Sequence, residues 1–390
     1  MFKKIIFTLL LLSTTFPQSL KSKIENVLKD KFFDRCLVSI QVEDLTTHQT
    51  LYKKNEKILL RPASNMKVLT SSAALLYLTP EYEFKTDLYY DGYVSDDTLN
   101  GNLYIVGGCD PDFVTQDLYQ FVDVIKTLNV SVINGNIYGD VSFKDSLYWG
   151  KGWMWDDDPS SDAPYLSALN INDNCIEVFY DGEINQIEIS PNTKYVRLRR
   201  EYNDSNLVVD RNWMERKNEI VVKGKPDGKE YHTKVNLLEP AKYFLTVFSE
   251  VLDSNDVKIL GATGLKILPQ EINLLYTLKR KYFDIISNLN KESDNLSAEM
   301  TLYALANKYS GKPATADSGV QLINLMIDSI GLNHKDYRLV DGSGVSHYNV
   351  VSAELIVTVL KYFFDKHPDL YEILYNSFPI AGVDGTLKNR

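Results

Sequence analysis

The chain has 390 residues, enough for two or three domains, and its 44% hydrophobic and 12% aromatic content is that of a core-forming protein, which excludes general disorder. A formal net charge of −10 with no block of like charge offers no electrostatic footing for nucleic acid or an anionic membrane surface. Three widely spaced cysteines (Cys36, Cys109, Cys175) and five histidines (His48, His232, His334, His347, His367) lack ligand or framework spacing, so isolated buried thiols are expected, with no metal and no cofactor.

Residues 1–19 read as a secretory signal peptide: Lys3 and Lys4, an apolar run over 5–12, then small and polar residues to Ser19. That run is shorter than the roughly 20 apolar residues a bilayer span needs. Export to the periplasm or another extracytoplasmic space is therefore expected, without a permanent membrane anchor. Alternation over 36–42 and again over 49–53 predicts a β-hairpin. A helix is expected from near Ser64, closed by Pro80; Met66, Val68, Leu69, Leu75, Leu76 and Leu78 make it apolar almost all round, as for a helix in the middle of a domain.

From 82 to 265 the texture changes to short β-like runs divided by Asp, Asn and Gly: 86–93, 102–106, 130–138, 175–180, 195–200 and 219–222. From 271 onward the helical period returns, over 272–289, 296–309, 320–330 and 353–364. Helix, strands and helix again imply one domain split by an insertion. The expected division is 20–81 and 269–390 as two parts of one domain, with a strand-rich insert at 82–268.

Two local features carry chemistry. The first is Pro62-Ala-Ser64-Asn-Met-Lys67, at the head of the apolar helix. Residues three apart share a helix face, so the Ser64 hydroxyl and the Lys67 amine can meet. Serine is a poor nucleophile unless a base stands beside it, and a lysine serves once burial favours its neutral form. The alternative is that Ser64 caps the helix and Lys67 lies on the surface along its stem. No other serine in the chain has a lysine three residues on. The second feature is Ser293-Asp-Asn295, between two expected helices: a hydroxyl to relay a proton and a carboxamide to hold a peptide group. Its alternative is a polar turn capping the next helix.

Together, S-x-x-K opening a buried helix and S-D-N downstream form the motif pair of penicillin-binding proteins and class A β-lactamases. The stretch between Ser64 and Ser293 is far longer than a β-lactamase has there. It resembles the insertion of class C low-molecular-mass penicillin-binding proteins, the DacB-type D-alanyl-D-alanine carboxypeptidases and endopeptidases. Gly152-Trp-Met-Trp-Asp156-Asp, Leu339-Val-Asp341-Gly-Ser-Gly344 and Ile380-Ala-Gly-Val-Asp384-Gly-Thr386 look like that family as well.

The resemblance implies a mixed α/β (α+β) multidomain fold, with a transpeptidase-like domain of helices on an antiparallel sheet interrupted by a strand-rich insertion. It implies Ser64 as nucleophile, Lys67 as its base, Ser293 in proton transfer to the leaving amine and Asn295 on the substrate backbone. Peptidoglycan stem peptides and β-lactam antibiotics are the implied partners. Asp156 is a weaker candidate for the amine of a diamino acid, against a packed aromatic turn. Asp341-Gly-Ser-Gly344 either borders the cleft or is a capped glycine turn. The family's third element, a K-T-G triplet on an edge strand, does not occur in this sequence, so its last strands are expected to be missing and activity reduced. A β-lactamase and a non-catalytic peptidoglycan or penicillin binder are the alternatives.

Overall fold

The computed structural model describes residues 19–390 except 185, 204, 226, 227 and 271. The signal-peptide reading therefore falls, apart from Ser19, outside the described residues. The chain divides into two compact units, 1–58 and 59–390. In the first, helix α1 (Leu20–Val27) precedes the expected antiparallel hairpin, in the register Ile40 to Lys54; its second strand, Gln49–Lys54, keeps the expected bounds, and its first, Ile40–Asp44, starts four residues later than expected. Cys36 is exposed rather than buried, whereas Cys109 and Cys175 are buried free thiols.

The second unit opens with a single 3-10 turn, Ala63–Asn65, and helix α2 (Met66–Tyr77). Strand Glu83–Tyr90 then enters a five-stranded sheet ordered Thr263–Leu265, Ile137–Asp140, Leu103–Gly107, Glu83–Tyr90, Asn273–Lys281. Two helices pack on it, α3 (Leu118–Thr127) and α4 (Pro240–Ser254); Phe121 of α3 meets Tyr276 of the sheet and Phe248 of α4, while Phe113 from the loop before α3 packs on Phe244 of α4. Neither helix was expected from the sequence. Both carry the signal, since Leu118, Phe121, Val122 and Ile125 are buried at helical spacing, as are Phe244, Val247, Phe248 and Val251. A four-stranded and two three-stranded sheets complete the strand-rich part among the described residues.

The expected helix over 272–289 is half strand. Asn273–Lys281 pairs antiparallel with Glu83–Tyr90, and only then does helix α5 (Tyr282–Lys291) begin. Leu274, Leu275 and Leu278 mimic a helical repeat. Tertiary pairing overrides it, because Leu278 faces the core and Arg280 pairs with buried Asp110 and partly buried Asp117. Chain entry and exit of the strand-rich part thus lie side by side, with Glu83 opposite Lys281.

Helices α6 (Asn295–Ser310), α7 (Ala316–Ser329) and α8 (Ala353–Lys366) follow the expected periods closely, and α9 (Pro368–Ser377) is additional. They surround α2 in one apolar cluster; a second cluster joins the five-stranded sheet to α3 and α4. α6 is buried from Leu296 to Ala306, and α2 buries nine of its residues, including Lys67.

Candidate active site

Ser64 lies in the 3-10 turn that runs into α2, and it is exposed. The preceding Ala63 has φ +48, a left-handed conformation that costs a residue with a Cβ on the order of 1 kcal/mol. Gly344, itself at φ +90, packs so close to this turn that a Cβ on it would collide with the Ala63 carbonyl oxygen. The turn is held from outside, and the Ser64 hydroxyl stands at its rim.

One helical turn on, Lys67 is 2% exposed. Its Nζ donates to Ser64 Oγ at 3.2 Å, to Asn295 Oδ1 at 2.5 Å and to the Ser343 carbonyl at 3.0 Å. An ammonium has three donors, and each finds an acceptor. The neutral amine can keep two of these bonds and turn its lone pair on the Ser64 O–H, with no movement of the chain. Burial lowers the Lys67 pKa to about 8, while Asp294, Glu299, Asp341 and Asp162 oppose that shift. The surface placement allowed by the sequence is therefore excluded.

Ser293 and Asn295 arrive from the turn between α5 and α6. Asp294 between them caps α6 by accepting the Ser297 N–H, and Ser293 takes φ +58. Its Oγ lies 2.9 Å from Ser64 Oγ. The Asn295 carboxamide is oriented from both ends, because Lys67 can only donate to Oδ1 and Nδ2 donates to the Asp162 carbonyl at 2.6 Å. The structure thus brings Ser64, Lys67, Ser293 and Asn295 into one hydrogen-bonded group.

Asp341-Gly-Ser-Gly344 forms a capped turn and also borders the groove over Ser64 through Gly344. Buried Asp341 accepts from the Gly344 and Ser346 N–H groups, from Asn349 Nδ2 and, at 3.0 Å, from Trp153 Nε1. Buried Glu299 on α6 accepts the Gly342 and Ser343 N–H groups at 3.0 and 2.8 Å, and burial together with nearby Asp341 pushes its carboxyl well up. These anchors aim the Ser343 carbonyl at Lys67. Sequence reasoning missed that carbonyl and the Asp162 one, since backbone atoms leave no residue signature. A glutamate inside the apolar run of α6 was the available signal for Glu299. Asp156 is exposed on a one-turn helix, Trp155–Asp157, and Asp157 caps that turn by accepting the Met154 N–H at 2.7 Å.

An open groove of about 510 Å³ runs over the serine, lined by Arg61, Ser64, Asp162, Ser293, Asn295 and His347 among others. Its polar floor and exposed hydroxyl suit nucleophilic attack on a bound carbonyl.

Residues 20–390 match the D-Ala-D-Ala carboxypeptidase 3 (S13) family. The D-alanyl-D-alanine carboxypeptidase DacB of Haemophilus influenzae is 28% identical over 369 residues, covering 90% of this chain and 76% of the relative. The D-alanyl-D-alanine carboxypeptidase of Actinomadura sp. is 26% identical over 398 residues, covering 95% and 73%. The crystal structure of penicillin binding protein 4 (dacB) from Haemophilus influenzae superposes with a TM-score of 0.80 at 25% identity, over 90% of this chain and 80% of that one.

Proposed function

The chain belongs to the D-Ala-D-Ala carboxypeptidase 3 (S13) family, and on that premise we propose that it is a serine carboxypeptidase and endopeptidase of peptidoglycan stem peptides that works through an acyl-enzyme. The observation that carries the reading is a nearly buried amine, its pKa lowered to about 8, hydrogen-bonded to the exposed Ser64 hydroxyl and to Asn295 beside it.

In this reading Ser64 Oγ attacks the carbonyl carbon of the D-alanyl bond while its proton passes to Lys67 Nζ. The Ser64 N–H, at the head of the α2 turn, donates to the developing oxyanion. The carbon–nitrogen bond breaks, and the leaving amine receives the proton by way of Ser293 Oγ. Water then attacks the ester, Lys67 takes its proton, and Ser64 is restored. Asn295 holds the substrate backbone once the peptide displaces its bond to Asp162. A β-lactam acylates the same oxygen. Among the described residues no helix is long and apolar enough to cross a membrane, and action outside the cytoplasm follows from the substrate proposed.

The test is labelling with a fluorescent penicillin alongside D-alanine release from a stem pentapeptide. Both are expected in the native chain and lost in Ser64→Ala. Labelling that persists in Ser64→Ala removes the serine from its role.

A further inference from the structure

All four tryptophans of the chain, Trp149, Trp153, Trp155 and Trp213, gather on one part of the second unit. Two of them face inward. Trp153 is buried with its indole on Asp341, and Trp149 lies edge-on against it at 5.3 Å and beside Tyr165 at 5.1 Å. The other two do not serve the core. Trp155 is 65% exposed and packs at 5.0 Å, tilted by 41°, on Trp213 from the strand-rich part. Met154 and Met214 beside them are exposed as well.

The position of this pair is set by the groove. Residues 152–162 form a loop with both feet on the groove wall: the Gly152 carbonyl accepts the His347 N–H at 3.2 Å, and the Asp162 carbonyl accepts Asn295 Nδ2. Trp155 lies between those feet. The loop is braced from below by Asp158, which is buried and pairs with buried Arg211, two residues before Trp213. An exposed indole, Trp155, backed by the half-buried Trp213, is thus held on a stiff support next to the catalytic groove. An apolar patch of this kind marks a binding surface, because its exposure stabilises nothing in the folded chain.

We propose that Trp155 and Trp213 form a saccharide-binding platform that seats the glycan strand carrying the stem peptide, a reading that rests on the peptidase assignment above. Sugar rings present C–H faces that stack on indole, and their hydroxyls and N-acetyl groups are donors and acceptors. Exposed Asp156 and the Glu215–Lys217 ion pair border the platform with groups suited to them. A polymer whose peptide enters the groove has to leave its backbone along the groove's rim, which the loop carrying Trp155 meets at Asp162.

The probe is chitotetraose, a peptide-free N-acetylglucosamine tetramer, titrated against the intrinsic tryptophan fluorescence of the full chain. Saturable quenching is expected in the native protein and in Ser64→Ala. It should weaken about tenfold or more in Trp155→Ala and in Trp213→Ala, with Trp213→Phe keeping most of the affinity. Unfolding curves of the same variants establish that they are folded. Absence of a saturable change in the native protein, or unchanged affinity in both folded alanine variants, overturns the platform; that first result also covers an apolar patch that docks a protein instead. Binding of the tetramer without turnover of a stem peptide leaves the platform standing and overturns the peptidase reading alone.

Discussion

Lys67 is the one lysine of α2, and its surroundings decide when it can take a proton. Below about 8 the amine is protonated and cannot deprotonate Ser64; above that value it can. Acylation by penicillin should therefore rise with pH, about tenfold per pH unit on the acid side, and level off above about 8, as stopped-flow rates would show. Lys67→Met should abolish the rise and most of the rate; an acylation rate flat across this range contradicts the assignment of the base. The same shift acts on stability. Lys67 titrates at 10.5 when unfolded and at about 8 when folded, so between those values the unfolded chain holds more protons and stability increases with pH. Glu299 works in the opposite sense. Its folded pKa lies above 4.5, so its contribution is full below that value and fades as pH rises through the folded one.

At the scale of elements, the site depends on how closely the turn before α2 meets the loop after residue 340. Gly344 occupies a left-handed backbone position against the Ala63 carbonyl. Gly344→Ala brings both a positive-φ penalty and a clash with backbone, together about 2–4 kcal/mol of lost stability by chemical denaturation. Penicillin labelling should fall with it, because the Ser343 carbonyl would shift away from Lys67. An alanine variant of native stability would show that the two segments are less tightly apposed. The strand Asn273–Lys281 teaches a related lesson, since its leucines repeat at helical spacing while its neighbour in the sheet decides its state.

Within the second unit, a buried ion pair, Asp158 with Arg211, ties the groove loop to the strand Val208–Arg211, alongside the packing of Trp155 on Trp213. Arg211 also donates to Asn236 Oδ1, and Tyr165 donates to Asp158 Oδ2 at 2.8 Å. Removing one partner strands the other without water, so Asp158→Ala should destabilise the protein by about 3–5 kcal/mol. The double variant Asp158→Leu with Arg211→Met should recover much of that loss. A thermal-unfolding series that finds Asp158→Ala neutral would mean the pair is hydrated in solution.

Much of the site was legible before folding was considered. Ser64 and Lys67 are three residues apart, and the helix that relates them is specified by its own apolar run, so local geometry was sufficient. Helices α6, α7 and α8 were legible for the same reason, because their burial follows a local period. Three things depended on tertiary structure: that Ser293 comes within 2.9 Å of Ser64, that the Ser343 carbonyl satisfies the Lys67 amine, and that residues 273–281 form a strand. Each is a long-range pairing between segments far apart in the chain. Sequence periodicity records which face of an element is buried, and only the fold determines what that face meets.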